Sequence, residues 1–80
     1  MEIDVARHVV RAVFRCGREL EELLHLLKAH CEPEEYKINA HGIATAIHTM
    51  HVEVMERAFQ AHPGLEQEVE ASIAKFGRYL

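Results

Sequence analysis

Residues 3–30 read IDVARHVVRAVFRCGRELEELLHLLKAH, and their spacing decides the fold. Ile3, Ala6, Val10, Val13, Gly17, Leu20, Leu24 and Leu27 recur every three or four residues, the period that puts one stripe on one face of a helix. Beyond Cys31-Glu32-Pro33 the rhythm returns in Tyr36, Ala40, Ile43, Ile47, Met50 and Val54. Two such stripes separated by one short break predict an antiparallel helical hairpin. Facing residues have numbers that sum to about 63, which sets Leu27 against Tyr36, Leu24 against Ala40, Leu20 against Ile43, Val13 against Met50 and Ala6 against Ala58. Large residues then meet small or medium ones, as interdigitating helices require.

The first helix is expected to start near Glu2 to Asp4, where acidic side chains oppose the positive end of the helix dipole, and to reach Lys28 or His30. Gly17 is the one weak helix former inside it. Its expected use is close approach of Ala46 and Ile47 across the seam. Pro33 suits the first position of the second helix, and Glu34 and Glu35 suit its first turn. Asn39-Ala40-His41-Gly42 is the soft spot of that helix, but the stripe keeps phase across it and predicts an unbroken rod. His62-Pro63-Gly64 is a firm break. It launches a third helix with Leu65, Val69, Ile73, Phe76 and Leu80 on its apolar face, and Lys75 and Arg78 complement its negative end. This helix is too short to follow the whole hairpin, so it folds across the end that holds the N-terminus of the first.

The fold class is therefore all-α, in a single domain of 80 residues. A chain this short buries only about 60% of the surface its unfolded form exposes. Disulfides do not make up the deficit. Cys16 and Cys31 stand roughly 20 Å apart along the first helix at 1.5 Å per residue, whereas a disulfide spans at most about 7 Å between Cα atoms. Cys16 reads as a small core residue and Cys31 as an exposed thiol, and both suit a reducing cytoplasm. The acidic start, Met1-Glu2-Ile3-Asp4, is no secretory signal, and no stretch reaches membrane-spanning length, which predicts a soluble protein.

The first helix carries more apolar surface than one seam can hide. Val9, Cys16 and Leu23 repeat every seven residues on one edge, and Phe14 and Leu26 project to either side. The economical answer is a homodimer in which two hairpins complete a four-helix-type bundle, with Val9, Phe14, Cys16, Leu23 and Leu26 as candidate interface residues. The function this implies is that of a self-associating interaction or adaptor module.

Histidine is the compositional anomaly. Seven of them take the formal charge from −4 when neutral to +3 when all are protonated, a swing just below physiological pH. His41, His48, His51 and His62 fall along one border of the second apolar arc as half-buried boundary residues. His48 and His51, three apart, are the candidate metal ligands, with water or a partner chain to complete the shell. A second alternative is a pH-responsive interface built on the same row. Glu22 and His25 have the spacing of di-iron bundle ligands, but Leu20, Leu24 and Leu27 turn Glu22 away from the core and no second such motif exists.

Arg7, Arg11, Arg15 and Arg18 make a basic ridge with no acid among residues 7–18, and acids then dominate from Glu19 to Glu35. Such a ridge could track phosphates. The negative net charge, the absence of Trp and the hairpin register, which places Glu53 and Glu56 opposite Arg7 and Arg11, weigh against nucleic acid and for internal charge matching. The sequence leans away from catalysis and implies no cofactor. Thr45 and Thr49 beside His41 and His48, and Cys31 beside His30, lack the strained turn or glycine-rich loop that aims a nucleophile at its base.

Overall fold

The computed structural model describes all 80 residues, and every regular element in it is helical. Helix α1 spans Ile3–His30 and α2 spans Pro33–Met50. A π-helical turn, His51–Met55, joins α2 to α3, Glu56–Ala61, and α4 spans Gly64–Phe76. Because α2, the π turn and α3 form one continuous rod, the molecule is three rods, 44 Å along its greatest extent.

The breaks fall where proline and glycine put them. Cys31 and Glu32 are extended, and Pro33 opens α2 with Glu34 and Glu35 in its first turn. The Asn39–Gly42 segment is uninterrupted helix. The irregularity lies ten residues further on, where the Glu56 N–H bonds back to His51 O, five residues away. That extra residue moves the seam position after Met50 from Val54 to Met55, while Ala58 keeps its expected place in the core. Val54, expected on the seam, is 42% exposed, whereas Met55 is buried and Ala58 follows it into the core. Just upstream, the Thr45 and Thr49 hydroxyls donate to the carbonyls of His41 and Thr45, a local bonding pattern that bends helices.

The core is concentrated at one end. Ala6, Val10 and Val13 of α1, Met55 and Ala58 of the second rod, and Leu65 and Val69 of α4 form one buried cluster, so α4 does cover the N-terminal end of α1. Towards the α1–α2 connection only two helices remain. There Ile43 is buried, and Leu20, Leu24, Leu27, Tyr36 and Ala40 are half-buried.

Helix α4 is shorter than its apolar pattern suggested. Gly77, at φ 76°, is the only residue with positive φ, and its N–H bonds to Ile73 O. The chain reverses there, so Arg78 and Leu80 lie beyond the helix, and Phe76 is exposed. A short hook follows. Ser72 Oγ donates to Arg78 O at 3.0 Å and accepts from Leu80 N–H at 3.1 Å. Arg11 donates to Leu80 O at 2.8 Å and stacks over the Tyr79 ring, 4.8 Å from its centroid.

Candidate functional site

Two surfaces of the hairpin carry chemistry, and they face opposite ways. The first is a second apolar stripe on α1, made of Val5, Val9, Ala12, Cys16, Leu23 and Leu26 with Glu19 between Cys16 and Leu23. Each is the residue just before a member of the buried stripe, so it lies about 100° further round the helix, with the same alternation of three and four. Helix α4 packs on the other flank of α1 and leaves this stripe open. Val5 and Leu23 are exposed, and Leu26 is 56% exposed. On the same side of α2 lie Asn39, Gly42 and Ala46, all exposed, and a side chain at Gly42 would meet nothing within 4 Å.

The five anticipated interface residues divide between the two surfaces. Val9, Cys16, Leu23 and Leu26 belong to the open stripe, with Val9 also resting on the core. Phe14 turns the other way, half-buried and edge-on to His51 with ring centroids 6.4 Å apart. Cys16 is not a core residue, because it stands on the open flank and not on the buried stripe. Cys31 is half-buried instead of free in solvent. Glu35 beside it, with some desolvation, pushes its thiol pKa up.

The second surface is a groove of about 660 Å³ between α1, the second rod and the C-terminal hook. Val13, Phe14, Ile47 and Ile73 give it apolar walls, and Arg11, Arg15, Arg18 and Arg78 rim it. Glu21 is its one acidic residue. Arg15, Arg18 and Arg78 form no ion pair within the chain. Gly17 lines the groove as well. A Cβ there would find nothing within 4 Å, so the glycine does not serve a close helix crossing with Ala46 and Ile47.

The basic ridge is thus split by its partners. Arg7 is held by Glu68 through Nε at 3.0 Å and Nη2 at 2.9 Å, and by Asp4 at 2.9 Å. Tyr79 adds a 2.7 Å hydrogen bond to Glu68. Arg7 and Tyr79 together hold the Glu68 carboxyl down to about 2. Glu53 does not answer the ridge, since it pairs with Arg57 one turn along its own rod, and Glu56 pairs with nothing. With Arg7 and Arg11 engaged, only Arg15 and Arg18 remain free for phosphate.

The histidine row loses His62. His62 sits past the end of α3 with its Nε2 2.7 Å from Met1 O, while His41, His48 and His51 are exposed. His48 and His51 straddle the entry to the π turn, and no three of His, Cys, Asp and Glu converge on a common point. The Thr45 and Thr49 hydroxyls are taken up by main-chain carbonyls. Sequence reasoning missed Arg78, Gly77 and the groove they help to enclose. Gly77, three residues before the end of an amphipathic run, was the available signal.

Comparison with known proteins finds no match: no family model, no curated protein and no solved structure.

Proposed function

We propose that the chain is a self-associating helical module, in which two copies pair through the open face of the hairpin to complete a four-helix bundle. The observation that carries this reading is the stripe Val5, Val9, Ala12, Cys16, Glu19, Leu23 and Leu26, on which Val5, Cys16, Leu23 and Leu26 are exposed, because a three-four alternation is the seam on which helices pack knobs into holes. A face two helices wide, about 20 Å, along a 44 Å molecule offers enough area for the roughly 800 Å² per partner of a standard interface.

An antiparallel arrangement sets Leu23 and Leu26 of one copy on the smaller Ala12 and Val9 of the other, while the arginines of α1 stay on the opposite flank. The two free thiols suit a reducing compartment such as the cytoplasm, and no helix is long and apolar enough to cross a membrane.

Light scattering or sedimentation at micromolar concentration tests the reading. The expected species has twice the 9.2 kDa chain mass. The double variant Leu23→Glu, Leu26→Glu returns it to 9.2 kDa with helicity unchanged. A wild-type chain that stays at 9.2 kDa over the whole range overturns the proposal.

A further inference from the structure

We infer that the groove behind α1 is a binding site for a small amphipathic organic anion, its acidic head held by Arg15, Arg18 and Arg78 and its apolar body laid along Phe14, Ile47 and Ile73. This does not depend on the pairing proposed above, which uses the opposite flank.

Three independent observations converge on it. The volume, about 660 Å³, is within the range of small-molecule pockets, and Phe14, Ile47 and Ile73 give it an apolar wall beside its arginines. The rim collects guanidinium groups from two distant parts of the chain, residues 11–18 and Arg78. Three of these lack any carboxylate partner within the chain. Guanidinium forks match carboxylate and phosphate oxygens in pairs, and beside an apolar wall such bonds are less screened than in open water.

Gly17 supplies the third. A glycine in mid-helix on the apolar stripe weakens α1, and no neighbour approaches closely enough to require it. Its empty Cβ position faces the groove that it lines. Any larger residue would grow into the space where a ligand's body lies, so the glycine keeps the groove open.

The probe is decanoate, titrated by heteronuclear NMR at low salt, with decanol, inorganic phosphate and anionic phosphatidylglycerol vesicles as comparison arms. Decanoate is expected to shift amides in residues 11–18, 47–51 and 77–80, and to bind at least tenfold more tightly than decanol or phosphate. Arg18→Gln and Arg78→Gln each weaken binding fivefold or more. Gly17→Leu abolishes it while the circular dichroism of the helices is retained. Equal binding of decanol, shifts confined to the Val5–Leu26 stripe, binding to vesicles but not to monomeric decanoate, or full binding by Gly17→Leu overturns the inference.

Discussion

Arg7 grips Glu68 with two nitrogens across 61 residues of chain, and this two-pronged contact ties α4 to the first turns of α1. Arg7 also donates to Asp4 through Nη1, and the Tyr79 hydroxyl donates to Glu68 Oε2, the oxygen that accepts from Arg7 Nε, so four side chains from three segments close one polar patch over the edge of the core.

The patch makes part of the stability sensitive to acid. Glu68 titrates near 2 in the fold against an ordinary 4.5, so its contribution is complete above 4.5 and is lost as pH falls through that window towards 2. The group is 41% exposed and solvent screening keeps the effect modest. Urea denaturation should find Glu68→Gln less stable than wild type by no more than about 1 kcal/mol at pH 7. The gap should narrow steadily below pH 4.5 and close only as pH reaches about 2. A gap that is unchanged in acid would show that the ion pair contributes nothing.

Deleting a residue from the middle of a helix normally rotates everything beyond it by about 100° and exposes half a core. Here the π turn already contains one residue too many. Removal of Val52, which is exposed, restores a four-residue step between Met50 and Met55 and leaves Met55 and Ala58 facing α1. A thermal midpoint within a few degrees of wild type is expected, whereas deletion of Ala46 within regular α2 should be severely destabilising.

Replacing Gly17 by alanine should stabilise the free protein. The new methyl meets nothing within 4 Å, and the helix gains up to about 1 kcal/mol of propensity. For a chain of this length that corresponds to a rise of roughly 4–8 °C in thermal midpoint. A fall would mean that the groove wall is tighter than the geometry shows.

The two thiols should report on different things. Cys31 is half-buried, and Glu35 raises its pKa, so alkylation at pH 7.5 should be slow at every protein concentration. Cys16 is exposed on the open stripe and should react quickly in dilute solution, then become protected as pairing sets in. Mass-resolved alkylation kinetics at low and high protein concentration separate the two, and a Cys16 rate that ignores concentration would count against pairing.

The rods and the turns between them were legible because they depend on local period and on Pro33 and Pro63, which act on their own neighbours. Phe14 and His51, which meet edge-on beside the seam, have numbers that sum to 65, close to the 63 expected of facing residues. What escaped depends on a change of phase. A strict 3.6-residue wheel assigns Val54 to the seam and aligns His62 with His48, and one inserted residue at His51–Met55 breaks both assignments. The partners of Arg7 and Arg11 escaped in part for another reason. The third helix falls at the end its length predicts, but the return of the chain after Gly77, which brings Tyr79 and Leu80 onto α1, is set by one backbone angle and not by any periodicity.

Seven of the eight buried side chains sit where three rods meet, and the remaining one, Ile43, lies alone further along the hairpin. Amide exchange should therefore be graded along the long axis, fastest around residues 28–38 and slowest near Val10 and Met55, because opening the tip releases little packed surface while opening the base releases nearly all of it. Opening at the α1–α2 connection is thus expected to leave the three-rod base closed.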